Sequence, residues 1–249
     1  MTMLEVRNVT KRFGSLTAVK DVSMAVKSGE LRAIIGPNGA GKTTFFNMIS
    51  GYFPPTQGAI LFEGRDVTRI PAHARVGLGM GRTFQITEVF PELTVYENVL
   101  TAAEVAAKQT LKMIPSRAAA KLAGDVAGEM LTLVALAGKA DRLVGELAHG
   151  DQRITEIAMV LAQLPRLLLL DEPTAGMGDQ ETYEITALIR RLHRETNYTI
   201  VLIEHDMRVV FHLADYITVL DRGSLLAEGT PKEIAASEVV QAAYLGEAK

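Results

Sequence analysis

The sequence predicts an α/β fold with a mostly parallel sheet, a β-rich first part and an inserted helical part. Short apolar runs at residues 31–35, 167–170 and 199–203 have the length and composition of strands that are buried on both faces. A helical pattern at residues 181–195 lies between the last two runs. Because strands alternate with helices, crossover connections are expected, and these make neighbouring strands parallel.

The other elements follow from alternation and from Ala-rich composition. Strands are also predicted at residues 4–9, 22–26, 59–62, 216–220 and 225–227. The first of these make roughly the first 70 residues β-rich. Residues 95–164 are rich in Ala with Glu and Lys, which predicts a helical insertion. The chain shows no internal repeat and no long linker, so one compact unit with a subdomain is expected.

Composition limits the possible classes of function. The chain has 249 residues, a net charge of −3 and a sequence pI near 6.0. It has no basic excess, so nucleic acid is not an expected partner. The absence of cysteine excludes disulfides, thiolate metal sites and a cysteine nucleophile. We find no signal-peptide core and no run of about 18 apolar residues, so the chain is not expected to cross a membrane.

A glycine-rich segment between the strand at residues 31–35 and a following helix fits the phosphate-binding pattern GxxxxGK(S/T). Its backbone N–H groups and the helix N-terminus are expected to bind phosphate oxygens. Lys42 is predicted to reach the β- and γ-phosphates, and the Thr43 hydroxyl to bind Mg²⁺. The alternative is a glycine-rich turn that binds nothing. The predicted nucleotide-binding residues of this segment are Gly36, Pro37, Asn38, Gly39, Ala40, Gly41, Lys42, Thr43 and Thr44.

Two carboxylates, Asp171 and Glu172, follow the apolar strand at residues 167–170. Open α/β sheets bind ligands at the carboxyl ends of their strands. Asp171 is predicted to bind Mg²⁺ through water, and Glu172 is predicted to be the general base that polarises an attacking water. Alone, such a pair is more often a solvated strand end or a helix cap. The phosphate loop upstream favours the catalytic interpretation.

Several motifs occur in a fixed order: the phosphate loop, Gln85, residues 147–153, residues 167–173 and His205. In order and spacing they resemble the nucleotide-binding subunits of ABC transporters, over almost the whole chain. The resemblance implies a phosphate-loop, RecA-like core with an N-terminal antiparallel β subdomain and an inserted α-helical subdomain. It assigns residues 1–90 and 160–249 to the core with its β subdomain and C-terminal segment, and residues 91–159 to the helical subdomain.

Further stretches resemble one group within that family. Residues 81–85, 93–99, 204–207 and 243–247 are similar to those of the ATP-binding subunits of branched-chain, or hydrophobic, amino acid importers. Importers for urea, amides or aromatic acids have similar sequences and stay as an alternative. A soluble ABC-type ATPase of translation or DNA repair is another, although such proteins usually carry two fused ATPase units or a long coiled-coil insertion. A regulatory module that binds nucleotide without hydrolysis is the third.

The resemblance also assigns roles to single residues. It implies that Phe13 stacks on adenine, which suits an aromatic face; the alternative is a half-buried phenylalanine at a strand end. It implies that Gln85 touches Mg²⁺ or the attacking water, and that His205 holds the γ-phosphate and orients Glu172. Without the shared order of motifs, Gln85 would be read as a surface residue and His205 as a hydrogen-bonded structural residue.

Residues 147–151 resemble the family's signature loop, which presents a helix N-terminus to the γ-phosphate bound by the opposite subunit. The residues implied in this contact are Ala148, His149, Gly150 and Asp151. Ala148 replaces the usual serine, and Asp151 replaces glutamine. An acid near phosphate should repel it unless Asp151 turns away to cap the helix. Gly178 is a second departure, because the family usually has an acid or amide there.

The resemblance implies ATP and Mg²⁺ as cofactors and a head-to-tail dimer that closes on two nucleotides. The implied partners are two membrane-spanning permease subunits, a second ATP-binding subunit and, indirectly, a periplasmic or extracellular solute-binding protein. A heterodimer is favoured and a homodimer is possible. The expected location is peripheral, at the cytoplasmic face of the cell membrane. Residues 85–98 are the expected groove for the membrane partner, although their apolar side chains could pack internally instead.

Overall fold

The computed structural model describes residues 1–83, 88–106 and 117–245. Its strands are β1 (Thr2–Phe13), β2 (Leu16–Lys27), β3 (Leu31–Ile35), β4 (Gln57–Phe62), β5 (Arg65–Asp66), β6 (Met80–Arg82), β7 (Leu167–Asp171), β8 (Thr199–Ile203), β9 (Tyr216–Asp221) and β10 (Ser224–Gly229). Its α-helices are α1 (Lys42–Ser50), α2 (Ala72–Val76), α3 (Val95–Ala106), α4 (Arg117–Leu133), α5 (His149–Leu161), α6 (Asp179–Arg194), α7 (Met207–Leu213), α8 (Pro231–Ala235) and α9 (Glu238–Leu245). Two short 3₁₀ helices, Ala137–Lys139 and Val144–Glu146, precede α5.

The described strands form two sheets. An antiparallel sheet has the order β2-β1-β4-β5, and a larger sheet has the order β10-β9-β3-β8-β7-β6. In the larger sheet β9, β3, β8, β7 and β6 are parallel, and β10 pairs antiparallel with β9 at one edge. The predicted α/β fold with a mostly parallel sheet and an antiparallel N-terminal part is therefore confirmed.

The central strands are buried along their whole length, which explains their unbroken apolar sequence. Every residue of β3, β7 and β8 is buried. In β3, Leu31 and Ile35 face a core shared with α3 to α7, whereas Ile34 faces a second core shared with α1 and the antiparallel sheet. Since both faces are covered, each position favours an apolar side chain. The loops at the carboxyl ends of these strands are thus held on a rigid base.

The helical insertion contains α3, α4, the two 3₁₀ helices and α5. Thr94 and Glu97 begin α3 with a reciprocal cap, in which the Thr94 N–H donates to Glu97 Oε2 at 2.8 Å and the Glu97 N–H donates to Thr94 Oγ1 at 3.1 Å. Across the described ranges, no helix combines the length and apolarity that a membrane span requires. The domain boundaries expected at 90/91 and 159/160 stay predictions; α5 runs on to residue 161.

A buried arginine fixes the far end of α1. Arg75 is 1% exposed, and its guanidinium donates to the carbonyl oxygens of Met48 at 3.0 Å, Ile49 at 2.5 Å and Val67 at 2.6 Å. Burial lowers the pKa of Arg75 to about 10. A cation at a helix C-terminus complements the helix dipole and satisfies its last carbonyls. The helix that follows the phosphate loop is therefore anchored at the end away from that loop.

Candidate functional site

The phosphate loop joins β3 to α1, and two of its glycines are required by close contacts. A Cβ at Gly36 would lie 2.1 Å from the carbonyl oxygen of Leu220, at the end of β9. Gly41 has φ 94°, and a Cβ there would lie 2.5 Å from the carbonyl oxygen of Ala18 in β2. Both separations are shorter than a non-bonded contact allows. The loop is therefore pressed against both sheets, which holds its backbone in a fixed shape.

Lys42 lies at the start of α1 and is 6% exposed. Its ammonium donates to the carbonyl oxygens of Gly36 at 2.7 Å and Pro37 at 2.9 Å. As in any α-helix, the first N–H groups of α1 have no acceptor within the helix, and the helix dipole adds positive potential there. A buried cation beside a helix N-terminus is an arrangement that binds phosphate.

The phosphate loop opens into a cavity of about 680 Å³. This cavity brings together predicted residues from the loop, from the turn after β7 and from the end of β8. The residues that line it are Leu16, Thr17, Ala18, Asn38, Gly39, Ala40, Gly41, Lys42, Thr43, Thr44, Glu172, His205, Arg222 and Gly223. The sequence interpretation missed Leu16 to Ala18 of β2 and the β9–β10 turn. The Arg222–Gly223 turn is tied in because the Gly223 N–H donates to the Ala40 carbonyl at 3.0 Å.

Glu172 and His205 form a hydrogen-bonded pair at the rim of this cavity. The distance from His205 Nε2 to Glu172 Oε1 is 2.6 Å, with the Glu172 side chain 12% exposed and the His205 side chain 47% exposed. The backbone of Glu172 has φ 46°, a left-handed conformation that costs an ordinary residue on the order of 1–3 kcal/mol. Strained residues of this kind cluster at functional sites, where the surrounding structure holds them in place.

Asp171 is nearly buried at the end of β7, 2% exposed. Its Oδ2 accepts from Arg82 Nη2 at 3.0 Å, and Arg82 also donates to Ser50 Oγ at 2.5 Å. Burial raises the pKa of Asp171 above its usual range, and Arg82 acts in the opposite direction. Asp171 is not among the residues that line the cavity. The prediction did not include Arg82, because a three-residue edge strand, β6, gives little signal in the sequence.

The two predicted Mg²⁺ ligands both offer oxygen atoms. A hydroxyl from Thr43 and a carboxylate from Asp171 are oxygen ligands of the kind that Mg²⁺ prefers. Within residues 1–83, 88–106 and 117–245, no group of three or more His, Cys, Asp or Glu residues forms a metal cluster. Mg²⁺ commonly uses one or two protein ligands together with substrate phosphates. The residues present fit that mode of binding, and they do not form an all-protein metal cage.

Two buried residues that the sequence interpretation missed position the turn after β7. Arg153 of α5 is 2% exposed; it donates to the Asp171 carbonyl at 2.7 Å and pairs with Glu156 at 2.5 Å. Glu204 is 3% exposed, and it accepts from the Thr174 hydroxyl at 2.6 Å and from the His205 N–H at 3.0 Å. These contacts connect α5, the turn after β7 that contains Glu172, and the loop after β8 that contains His205.

Phe13, like Asp171, is not among the described residues that line the cavity. Phe13 is 47% exposed at the end of β1, where its ring contacts the edge of Phe53 at a centroid distance of 5.5 Å. Lys11 Nζ lies 5.2 Å from the centroid of the Phe13 ring. The adenine-stacking role of Phe13 stays a prediction. Gln85 lies outside the described residues.

The signature loop leads into α5, with Ala148 as the residue before the helix. Ala148 and His149 are exposed, whereas Gly150 is buried and its N–H donates to Glu181 Oε1 at 3.0 Å. Asp151 Oδ2 accepts from Lys139 Nζ at 2.5 Å. The cap that the position of Asp151 allows is thus not formed, because the ammonium of Lys139 provides a charged partner. Gly178 stands immediately before α6, and its N–H lies 3.4 Å from Glu181 Oε2.

The segment expected to receive a membrane partner is only partly exposed. Val89 packs against the main core, whereas Phe90 is 49% exposed. The buried side chain of Asn98 holds the segment, accepting from the Phe90 N–H at 2.8 Å and donating to the Leu93 carbonyl at 3.3 Å. Ile86 lies outside the described residues. The groove at residues 85–98 therefore stays a prediction, with internal packing shown for Val89.

A second cavity of about 680 Å³ lies between α6 and α7. Arg190, Arg191 and Arg194 line it, together with acidic residues that include Asp206. Of the predicted site residues that the structure describes, none lines this cavity. Volume alone does not distinguish the two cavities. The chemistry does, because the first one contains the phosphate loop and the Glu172–His205 pair.

Comparison with known proteins agrees with this geometry. A family model described as "ABC transporter" matches residues 19–175, and one described as "Branched-chain amino acid ATP-binding cassette transporter" matches residues 224–249. BraF of Pseudomonas aeruginosa, a high-affinity branched-chain amino acid transport ATP-binding protein, is 41% identical over 99% of this chain and 98% of its own length. LivG of Salmonella typhimurium, which carries the same description, is 42% identical with the same coverage. The ADP conformation of MJ1267, an ATP-binding cassette of an ABC transporter, matches with a TM-score of 0.86, at 30% identity over 99% of each chain.

Proposed function

This chain belongs to the ABC transporter family as an ATP-binding subunit, and from that premise we propose that it powers an importer for branched-chain or other hydrophobic amino acids. The substrate class is supported by BraF and LivG and by the match of residues 224–249 to the branched-chain model. The observation that carries the proposal is the cavity in which the phosphate loop faces the Glu172–His205 pair.

The residues of that cavity divide the work of hydrolysis. Lys42 exchanges its carbonyl partners for phosphate oxygens, and the N-terminus of α1 binds the same group. Glu172 takes a proton from the attacking water, while His205 holds the Glu172 carboxylate in place through the 2.6 Å contact. Mg²⁺, held by Thr43 and by Asp171 through water, would neutralise charge on the β- and γ-phosphates. Arg82 would then share Asp171 with the ion. We propose that Gln85 also contacts the attacking water.

We propose that two such ATP-binding subunits close head to tail on two nucleotides. Each phosphate loop then faces the signature loop of the opposite subunit. Closure drives two membrane-spanning permease subunits, and loss of the γ-phosphate reopens the dimer, so nucleotide state becomes a conformational switch. The chain would act at the cytoplasmic face of the membrane, and the solute would be selected by the permease subunits and a solute-binding protein.

Reconstitution tests the proposal. The chain, its permease subunits and its partner ATPase are placed in proteoliposomes with a solute-binding protein, and ATP-dependent uptake of leucine is compared with uptake of urea, an amide and an aromatic acid. Uptake of leucine above the other three supports the proposal. Preference for another solute would favour a related importer, and co-purification with ribosomes or DNA instead of membrane proteins would favour a soluble ATPase.

The isolated chain provides a second test. We expect a weak and mostly monomeric ATPase whose rate rises on assembly, because one chain supplies only half of each composite site. Rate is measured over a range of protein concentrations alongside light scattering. Full activity of a monomer at every concentration would contradict the composite-site proposal.

We further propose that the native complex contains two different ATP-binding subunits. Ala148 lacks the serine hydroxyl and Asp151 adds a charge, so the site that uses this chain's signature loop should be the weaker one. Glu172→Gln in this chain should then reduce transport far more than the matching change in the partner. An equal reduction for both, or a native complex with two copies of this chain, would contradict the asymmetric assembly.

A further inference from the structure

The N-terminus of α5 already has an anionic partner within the same chain. Glu181, in the first turn of α6, accepts the Gly150 N–H on Oε1 at 3.0 Å. A Cβ at Gly150 would lie 3.2 Å from Glu181 Cγ, so the two residues are in contact as well as hydrogen-bonded. The neighbours Ala148 and His149 are exposed, whereas Gly150 is buried. Glu181 therefore covers one particular amide of the signature loop.

The physical reason for this contact is the unfilled start of the helix. The first N–H groups of a helix lack partners within it, and their positive potential favours an anion. Ala148, at the capping position, has no side chain that could accept from them. Asp151 is in the first turn, but its carboxylate is bound to Lys139. Glu181 supplies from a neighbouring helix the acceptor that the loop's own residues do not provide.

The same carboxylate also touches the loop before α6. Glu181 Oε2 lies 3.4 Å from the N–H of Gly178. One carboxylate thus joins the signature loop to the loop after the catalytic turn. Removal of this carboxylate would remove both contacts.

We propose that Glu181 determines the affinity of the composite nucleotide site by competing with the partner's γ-phosphate for the Gly150 amide. The inference rests on the proposed closed dimer, in which the signature loop binds that phosphate. The Gly150 N–H cannot donate fully to a carboxylate and to a phosphate oxygen at once. Two anions placed at hydrogen-bond distance from the same N–H would also repel each other. Closure therefore requires Glu181 to leave Gly150, and its return after loss of the γ-phosphate favours reopening.

The test measures ATP-dependent association of this chain with its partner ATP-binding subunit by analytical ultracentrifugation, in a Glu172→Gln background with the matching change in the partner, where hydrolysis is slow. Glu181→Gln removes the competing charge and is expected to lower the ATP concentration for half-maximal dimer by about three- to tenfold. Glu184→Gln, one turn further along α6, is the matched control, because its carboxylate is exposed and accepts from Gln180 instead. Fluorescent-nucleotide binding to each single chain should be unchanged, since that reports the phosphate loop alone.

An equal or weaker dimer for Glu181→Gln, with the Glu184→Gln control at the parent value, would overturn the proposal. If Glu181→Gln lowers the melting temperature by several degrees, Glu181→Asp takes its place; its shortened carboxylate retracts from Gly150, and a change in the same direction is expected. If the Glu172→Gln parent does not associate with the partner subunit in ATP at all, the proposed closed dimer fails, and this inference fails with it. A purely structural role for Glu181 predicts loss of stability without tighter dimerisation.

Discussion

Two helix N-termini of this chain are proposed to bind phosphate, and the groups that contact them in the structure differ. At α1, the cation beside the helix donates to the neutral carbonyls of Gly36 and Pro37, and the loop opens into a large cavity. At α5, the Gly150 amide is bound by the carboxylate of Glu181. A carbonyl is exchanged for phosphate at little electrostatic cost, whereas a carboxylate must be moved out of the way.

The difference separates nucleotide capture from dimer closure. At the phosphate loop, the carbonyl contacts of Lys42 involve neutral acceptors that phosphate oxygens can replace. The signature loop has to release an internal anion before it can accept an external one. We therefore expect changes at the first region to alter binding and turnover within one subunit, and changes at the second to alter association of subunits.

The largest effect is expected for Glu172→Gln, on the side of the phosphate loop. The amide retains the shape of the side chain but cannot accept the proton, and a positioned base typically contributes about 10² to 10⁴ in rate. ATPase rate should fall by that factor while nucleotide binding persists and a closed dimer accumulates. Glu195→Gln, at the exposed end of α6, is the control. Equal rates for Glu172→Gln and the parent would remove Glu172 from its assigned role.

Gly41→Ala tests whether the shape of the phosphate loop depends on its glycines. Its φ of 94° and the 2.5 Å approach to the Ala18 carbonyl leave no room for a Cβ. The free energy of unfolding should fall by about 2–3 kcal/mol. Gly128→Ala in α4, where a Cβ would meet nothing within 4 Å, should instead raise it by about 0.5–1 kcal/mol. Denaturant titration compares the two variants, and a similar loss for both would contradict the contact argument.

The sequence predicted the first region better than the second because of where the interactions lie along the chain. The phosphate loop, its strand and its helix are contiguous, and β3 and β8 were predicted to the residue because strands buried on both faces are unbroken apolar runs. β6 was not predicted, since Met80–Arg82 is too short to show a period. The Arg82–Asp171 ion pair was missed for the same reason, because Arg82 lies in β6.

The signature loop was harder because its partner comes from another helix. Glu181 is separated from Gly150 by 31 positions, and the contact exists only because α5 packs against α6. In contrast, Thr230, Pro231 and Glu233 carry a recognisable start signal for α8 that the sequence interpretation left unused. Local signals were therefore available in the sequence, whereas the Glu181 contact required the packed structure.

Ala148→Ser is expected to strengthen the second region. The serine hydroxyl caps α5, which typically raises the free energy of unfolding by about 0.5–1 kcal/mol. In the closed dimer it also adds a contact to a charged phosphate, worth roughly 1.5 kcal/mol, or about tenfold in dimer affinity. Ala137→Ser is the control, because Ala137 is exposed in the first 3₁₀ helix, Ala137–Lys139. If Ala148→Ser stabilises the monomer but leaves ATP-driven dimerisation unchanged, the hydroxyl acts only as a cap.

The smallest effect is expected from the Lys139–Asp151 pair, whose side chains are 47% and 18% exposed. Lys139→Met leaves the Asp151 charge without its cation near the phosphate that α5 is proposed to bind. Partly exposed pairs are worth about 0.2–1 kcal/mol, so dimer affinity should fall by roughly two- to fivefold and monomer stability by less than about 1 kcal/mol. In an Asp151→Asn background the same substitution should have no effect on dimerisation, because no charge is left to neutralise.

The loss of dimer affinity in Lys139→Met should also diminish as salt is raised, since screening weakens repulsion between exposed charges. An equal loss in both backgrounds would mean that Lys139 acts on the dimer directly and that Asp151 is not the group it neutralises.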